Sequence, residues 1–443
     1  MWTLETFTAG AKTTALWNIV HTSNLFGDRI DADSYHHEFM QLENLLNGVK
    51  TQKLGSIAVI KSGTTPTDRD ENLDNGVILL KTANIQDGYI DDNSFSYISD
   101  EIDERMRKTS LKDYDIMVNI VGATLDVISR TAPIPPNFPP TNITQAMALV
   151  RITSQEFLPY YVSMFLLTKY GKKQLHRLAR PTGQYNINLQ ELQTVRVIHA
   201  PIDKQKDIHN LVLQAIDLRK VSKLLYIEAE TLLLHELGLD RLDLAYQPAY
   251  EATFEDTIAA GRMDAEYFHP EKRHIIEQLA QLPGQNVYHY FDCVEEMLNP
   301  LTQNKSDAVN NYDLTDALRF FLADDVEEVM STDLGSTKTV FKSGDVVISQ
   351  LRSYLKEIAL VTTPEIKKCV GSSEFIVLRP KSEIVNSELL MVYLRSTPVQ
   401  SILKWCQNGS NHPRFNQQEI LFLKLPDHIL MDKRIKKRLT QAE

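Results

Sequence analysis

Short apolar runs of strand length alternate along the chain with longer segments of helical periodicity. The runs are rich in β-branched residues, which predicts strands. They cover 77–85, 115–121 and 147–152 in the first half of the chain, and 345–351 and 375–380 in the second half. Apolar residues with helical spacing occupy 158–178 and 386–405. The pattern predicts a mixed fold of helices and strands.

The longest periodic segment lies within residues 203–239. Its apolar residues are spaced alternately three and four apart, and Ser222 interrupts the pattern. Nearly four heptads of this kind predict a coiled-coil helix that ends at Gly238. One amphipathic helix buried in a globular core is the alternative. In the coiled-coil interpretation, the seam forms a subunit interface. The seam also includes Ala229, and the residues assigned to the interface are Ile208, Leu211, Ala215, Leu218, Leu225 and Leu232.

A sequence of ten residues occurs twice, 233 positions apart. Residues 29–38 (RIDADSYHHE) resemble residues 262–271 (RMDAEYFHPE), and similarity continues downstream, where Asp115 corresponds to Asp345. Such self-similarity indicates that the chain is a tandem duplication with a period of about 230 residues. The Arg–Asp pair in each copy could be an active-site dyad. We favour a structural role, in which the Asp caps a turn and the Arg pairs with it.

Composition narrows the class of protein. The 443 residues carry a formal charge of −11, and the three cysteines are far apart, so neither a disulfide framework nor a zinc site can be built. The N-terminus lacks the features of a signal peptide, and no apolar run is long enough to span a membrane. These features predict a soluble, multidomain, cytoplasmic protein with no membrane partner.

The charges are unevenly distributed. Residues 160–225 carry eleven basic and four acidic side chains, and residues 402–438 carry eight and three. Each basic stretch contains a polar loop, at 181–188 and 408–416, whose amides and cations suit phosphates and base edges. Solvated helix ends that favour cations are the alternative. Because the pattern recurs at equivalent places in both copies, we favour nucleic-acid binding.

Motifs for catalysis are absent from the sequence. Neither a GxGxxG nor a GxxxxGK[ST] loop is present. The NFPP sequence at 137–140 is only superficially similar to the motif of amino-methyltransferases, because the order of its residues differs. The sequence therefore predicts no catalytic residues and no metal site.

The order of motifs resembles that of the specificity (S) subunits of type I restriction–modification enzymes. The similar segments are KLGSIAVIKSGTTPT (53–67), NGVILLKTANIQDGYID (75–91) and TGQYNINLQELQTVRVIHAPIDKQKDI (182–208), together with the duplication and the heptads. The second copy departs from the pattern, because 291–303 lacks the SGTTP sequence. The second conserved helix of the family is nearly missing.

The resemblance implies an α+β fold in which two α/β target recognition domains, related by pseudo-twofold symmetry, are separated by long coiled-coil-type helices. The implied divisions are an N-terminal segment with the first repeat (1–50), recognition domain 1 (51–203), a central helix (204–242), a connector with the second repeat (243–284), recognition domain 2 (285–428) and the start of a truncated second helix (429–443).

The resemblance also implies a non-catalytic subunit that recognises a bipartite target in double-stranded DNA, with helix length setting the spacer. It implies two methyltransferase (M) subunits and restriction (R) subunits as partners. S-adenosylmethionine, ATP and Mg would be bound by those partners and none by this chain. A diverged DNA methyltransferase or nuclease, or a coiled-coil adaptor that does not bind DNA, are the alternatives.

The candidate DNA-binding residues fall into two chemical groups. Helical Lys and Arg side chains are expected at phosphates, and loop amides, hydroxyls, rings and Arg at base edges. In the first copy they are Thr64, Thr65, Lys172, Lys173, Arg177, Arg180, Gln184, Tyr185 and Asn186; in the second they are Arg352, Tyr354, Asn411, His412 and Arg414.

Overall fold

A computed structural model shows two compact units, residues 1–218 and 219–443. It describes residues 25, 29–92, 94–241, 249–302, 307–322, 326, 328–363, 368–382, 385–430 and 432–442. Helices and strands are mixed throughout both units, so the predicted α+β class is confirmed. The proposed domain boundaries remain predictions, and most of the segment before residue 29 and residues 243–248 of the connector lie outside the described residues.

The first unit contains fourteen described strands and begins the long helix α8. The strands are β1 Thr51–Lys53, β2 Ala58–Ser62, β3 Val77–Leu80, β4 Ile85–Gln86, β5 Tyr89–Ile90, β6 Ser96–Ile98, β7 Ile116–Asn119, β8 Val121–Gly122, β9 Thr131–Pro133, β10 Thr141–Ile143, β11 Met147–Ile152, β12 Arg180–Thr182, β13 Gln184–Asn186 and β14 Arg196–Ile198. The helices are α1 His37–Asn47, α2 Leu54–Ile57, α3 Asp100–Arg105, α4 Leu125–Ile128, α5 Pro159–Leu167, α6 Lys169–Leu178, α7 Leu189–Leu192 and α8 Ile202–Glu236.

The second unit contains the end of α8 and eleven described strands. The strands are β15 Gln285–Asn286, β16 Phe291–Val294, β17 Met297–Leu298, β18 Ala308–Tyr312, β19 Glu328–Met330, β20 Lys338–Phe341, β21 Val346–Ser349, β22 Ile358–Leu360, β23 Lys368–Gly371, β24 Phe375–Pro380 and β25 Lys424–Leu425. The further helices are α9 Phe254–Ala260, α10 Pro270–Gln281, α11 Val287–Tyr290, α12 Ser387–Arg395, α13 Thr397–Cys406, α14 Gln417–Leu421, α15 Asp427–Leu430 and α16 Lys433–Ala442.

Each unit contains a four-stranded antiparallel sheet of the same construction, with strand orders β2-β11-β7-β9 and β16-β24-β21-β22. Asp115 and Asp345 directly precede the strands β7 and β21. Each carboxylate accepts two hydrogen bonds from an arginine on the paired strand, Arg151 or Arg379, at 2.6–2.8 Å. The duplicated sequence therefore builds a duplicated sheet, with one buried ion pair at the same place in each copy.

The segments predicted as single helices at 158–178 and 386–405 are each two helices with a break between them. The breaks lie at Thr168 and Ser396, which have extended backbones. The Thr168 hydroxyl accepts a hydrogen bond from the Gly171 amide and so caps α6. The sharp turn brings α6 so close to α5 that a Cβ atom on Gly171 would lie 2.4 Å from the Phe165 and Leu166 carbonyl oxygens.

Substituting Gly171 by Ala should destabilise the first unit, although Ala is the better helix former. The new Cβ atom meets rigid backbone oxygens, so we expect a loss of about 1–3 kcal/mol. For a unit of this size, that loss lowers the melting temperature by roughly 2–12 °C, which thermal denaturation followed by circular dichroism would measure. Gly335→Ala is the matched control, because no atom lies within 4 Å of its Cβ position. Equal melting temperatures for both variants would contradict the account.

The long helix α8 ends as predicted, because Gly238 follows with a φ of 65° in the left-handed region. In the second unit, α8 packs antiparallel to α16. The Ser222 hydroxyl donates to the Ala442 carbonyl, and Glu236 pairs with Arg434 at 2.7 Å. The segment assigned to the start of a second helix therefore packs on α8 within this unit.

The predicted heptad seam coincides only in part with the face that α8 buries within the second unit, where Ala229 is buried and Leu232 packs against the core. The buried stripe consists of Tyr226, Ala229, Leu233 and Leu237, which join the core with Ile435 and Leu439. Of the predicted seam, Leu211 is 63% exposed and Leu218 is 70% exposed; Ala215 is also exposed, and Ile208, Leu225 and Leu232 are half-buried. The period and the burial of Ala229 were predicted correctly, but the buried stripe also contains Tyr226, Leu233 and Leu237, which lie beside the predicted seam. A role of the seam in binding partner subunits stays a prediction.

Candidate nucleic-acid interface

The predicted polar loop of the first copy is a β-hairpin. Strands β12 and β13 pair around Gly183, whose φ of 83° suits a tight turn. The hairpin also pairs with β8, where Tyr185 faces Gly122 and Asn186 faces Val121. Gln184 and Asn186 are exposed, and Tyr185 is half-buried. The three residues predicted to contact base edges thus lie together on one hairpin.

The second unit repeats this arrangement. Asn408 and Arg414 exchange two backbone hydrogen bonds, at 2.8 and 2.9 Å, and close a turn that contains Gly409 at a φ of 100°. Arg414 also forms a bridge with Leu351, just beyond the end of β21. Asn411 and His412 are exposed at the tip of the hairpin. Each unit therefore lays a polar hairpin against the segment that follows its central strand.

The segment after β21, residues 351–357, is held in an unusual conformation. Arg352 and Lys356 both have left-handed backbones, with φ of 52° and 54°. A non-glycine residue in this region costs of the order of 1–3 kcal/mol and persists only where its surroundings hold it. We call residues 352–356 the recognition loop of the second unit.

Hydrogen bonds to the hairpin, to Gln407 and to Arg395 hold the recognition loop. The Arg352 amide donates to the Pro413 carbonyl of the hairpin at 3.0 Å, and the Gln407 side chain donates to the Ser353 hydroxyl at 2.7 Å. Arg395 donates to the Lys356 carbonyl at 3.0 Å. The loop and the hairpin therefore form one surface, which brings together Arg352, Tyr354, Asn411, His412 and Arg414.

Two carboxylates adjust the charge of this surface. Arg414 donates two hydrogen bonds to Glu374, at 2.6 and 2.8 Å, and the guanidinium holds the pKa of Glu374 below its ordinary value. Any contact of Arg414 with a base requires this ion pair to open. Glu357 directly precedes β22 and is buried, and burial raises the pKa of its carboxyl.

The repeated Arg–Asp segment anchors the base of each hairpin. Arg29 forms a two-point ion pair with Asp31 and donates to the carbonyl of Arg177 at 2.8 Å. Arg262 pairs with Asp264 in the same way and donates to the carbonyl of Cys406 at 2.6 Å and of Gln407 at 2.9 Å.

The predicted pairing of Arg with Asp is found in both copies. The predicted cap is found only in the first copy, where the Asp31 carboxylate accepts from the Ser34 amide, whereas the Asp264 side chain caps no helix. Each arginine lowers the pKa of its aspartate partner. Sequence reasoning missed the second function of the arginine. It satisfies the last carbonyls of α6 and α13, at the point where the chain enters the hairpin.

The prediction that Arg177 binds a DNA phosphate is wrong. Arg177 is only 6% exposed. Its guanidinium donates to the Ser34 carbonyl at 2.9 Å and to the Glu43 carboxylate at 3.1 Å. The guanidinium therefore holds α1 against α6. Its position on a helix and its charge do not distinguish such a buried arginine from one at the surface.

The other predicted phosphate ligands of the first unit are nearer the surface but have carboxylate partners. The pairs are Lys172 with Asp87, Lys173 with Glu38, and Arg180 with Glu191. Thr64 and Thr65 follow β2, which leaves the sheet at the same end as β7, and Thr64 is exposed. The hairpins are thus the part of the predicted site with the most accessible polar groups.

The described residues contain neither a metal-site arrangement nor a membrane-spanning helix. No group of three or more His, Cys, Asp or Glu side chains in the described ranges has the arrangement of a metal site. Among the described helices, none has the length and apolarity to cross a membrane.

Comparison with known proteins places this geometry in context. No family model matches the chain. The type I restriction enzyme EcoBI specificity subunit of Escherichia coli is 25% identical over 167 residues, which is 38% of this chain. The chain is similar to a type I specificity subunit. The resemblance predicted from the motifs is confirmed. The match spans 33% of the length of that relative.

Solved structures of the same class also align with the chain. The type I restriction–modification S subunit from M. genitalium aligns over 89% of this chain and 88% of its own, with 13% identity and a TM-score of 0.37. The HsdS subunit from Thermoanaerobacter tengcongensis aligns over 89% of both chains, with 13% identity and a TM-score of 0.27.

Proposed function

We propose that this protein is a sequence-specific DNA-binding subunit that recognises a bipartite target and directs methyltransferase subunits, and restriction subunits where present, to it. The observation that supports the proposal most strongly is the duplicated hairpin surface. A chain that builds the same polar surface twice is suited to two half-sites. Similarity to a specificity subunit supports the same function.

The chemistry of the hairpins fits base recognition. Side-chain amides such as those of Gln184, Asn186 and Asn411 can pair with adenine through two hydrogen bonds, and an arginine can pair with guanine. Rigid presentation matters because an ordered loop loses little entropy when it binds. In the second unit, this rigidity comes from the hydrogen bonds that Arg262 donates to the Cys406 and Gln407 carbonyls, and from the hydrogen bonds that hold the recognition loop.

The proposal assigns the chemistry of methylation and restriction to partner subunits. S-adenosylmethionine, ATP and Mg would be bound there, and this chain would bind none of them. Equilibrium dialysis of S-adenosylmethionine against the isolated chain distinguishes this proposal from a diverged methyltransferase. Binding of the cofactor by this chain would favour the enzyme.

Arg352→Asn should weaken specific DNA binding about 5- to 150-fold, which corresponds to the loss of one good base contact. Asparagine tolerates the left-handed backbone at this position, so the loop should keep its conformation. Fluorescence-anisotropy titrations of target and scrambled duplexes at several salt concentrations would measure the effect. Binding to scrambled DNA and its salt slope should change little, because a contact with a base edge neutralises no phosphate.

Arg319→Asn is the matched control, because Arg319 is exposed in the same unit outside the hairpin and its loop. It should leave binding to the target unchanged. Affinity of the unmodified chain that is independent of salt would contradict a DNA-binding function, because release of counterions from phosphates makes such affinity fall with salt.

A further inference from the structure

Each unit holds an exposed leucine on the segment that its hairpin contacts. Leu125 is 36% exposed and Leu355 is 40% exposed. The two residues correspond in the repeat, because both lie ten positions after the aspartate that precedes the central strand, Asp115 or Asp345. Exposed leucines are ordinary when they are scattered, but here the exposure recurs at one position of a duplicated surface.

The structure prevents these leucines from withdrawing into the core. Leu355 stands between the left-handed residues Arg352 and Lys356, and the bonds from Gln407 and Arg395 fix its loop. In the first unit, Leu125 begins α4, whose N-terminus is capped by the Thr124 hydroxyl. The Ser129 hydroxyl donates to the Leu125 carbonyl at 3.1 Å.

Polar hairpin residues adjoin the Leu355 loop. Beside the Leu355 loop lie the amide, imidazole and guanidinium groups of Asn411, His412 and Arg414. The leucine side chain is a branched aliphatic group that lies among hydrogen-bonding groups. It suits a ligand whose edge is polar but carries one apolar group. In the major groove of DNA, the apolar group on the edges of the base pairs is the C5-methyl group of thymine.

We propose that Leu125 and Leu355 contact thymine methyl groups, one in each half of the DNA target. This inference rests on the proposed DNA-recognition function and adds a specificity contact to it. A leucine can also act as a wedge that enters a base step from the minor groove and kinks the duplex. The two modes differ in whether the methyl group matters.

The test uses the full chain in its complex with the co-expressed methyltransferase, and duplexes in which single thymines of the target are replaced by deoxyuridine. This replacement removes only the methyl group. At one position of the half-site read by the second unit, we expect about fourfold weaker binding, the contribution of one buried methyl group. Leu355→Ala should bind the thymine and uracil duplexes equally, and Leu125→Ala should do so for the other half-site.

Leu301→Ala is the matched control, since Leu301 is 92% exposed in the same unit outside the loop. It should keep the full preference for thymine. The inference is overturned if Leu355→Ala keeps that preference, if the half-site consists only of G·C pairs, or if the variant abolishes a DNA bend while uracil has no effect. A complex that does not distinguish target from scrambled duplex would instead overturn the proposed function itself.

Discussion

Exchanging residues 53–203 for the corresponding segment of a related specificity subunit should replace one half of the recognised DNA sequence and leave the other half unchanged. The structure favours these borders, because Lys53 at the end of β1 pairs with Arg196 on β14. The ends of the segment therefore lie side by side. Affinity for the old half-site should fall by two or more orders of magnitude, since several base pairs change and each mismatch costs about 1–3 kcal/mol.

The donor segment must keep two arginines that hold the exchanged part to its surroundings. Arg177 and Arg196 both pair with Glu43, which lies outside the exchanged segment. Sequencing that detects methylated bases would identify both half-sites in cells that express the chimera. Loss of both half-sites in a chimera with an unchanged melting temperature would contradict independent recognition by the two units.

Arg262→Met should weaken specific recognition by the second unit while the unit remains folded. The guanidinium satisfies the Cys406 and Gln407 carbonyls, and Asp264 would lose its partner. Because Asp264 is partly exposed, water can solvate its unpaired carboxylate. The substitution should therefore act mainly through the carbonyls at the helix end and the hairpin base, which lose their hydrogen-bond donor. We expect target affinity to fall about 10- to 100-fold, because a misplacement of about 1 Å is enough to weaken several contacts at once.

Arg273→Met controls for the loss of one arginine from the same region, because Arg273 is exposed on α10. It should bind the target as the unmodified chain does. The distinguishing measurement is hydrogen exchange at residues 407–414. These amides should exchange faster in Arg262→Met, whereas α12 should be unaffected. An unchanged affinity together with faster exchange would show that the hairpin does not contact DNA.

Local pattern was sufficient to predict the elements that depend on neighbouring residues. The strands β7, β11, β21 and β24 lie within the apolar runs that predicted them. The repeat marked Asp115 and Asp345 as equivalent positions, but it did not predict their ion pairs with Arg151 and Arg379. The breaks at Thr168 and Ser396 were missed, because the apolar spacing continues through both residues. The local signals are the Thr168 hydroxyl, which caps α6, and the proline in the first turn of α13.

The errors in the site come from interactions between distant segments. Arg177 has the composition and spacing of a surface cation, but α1, more than 130 residues earlier, buries it. The hairpin pairing of Asn186 with Val121 joins residues 65 positions apart. Neither the contact of Arg177 with α1 nor the pairing of Asn186 with Val121 can be recognised from charge or periodicity. Both depend on how the repeated Arg–Asp segment and the sheet pack together.

Methylation mapping tests the central claim most directly. DNA from cells that co-express this chain with its methyltransferase would be sequenced for modified bases, beside cells that express the methyltransferase alone. We expect one bipartite motif, with two defined halves and a spacer of fixed length, that disappears when this chain is omitted. Methylation at a continuous motif, or at the same sites without this chain, would contradict the account.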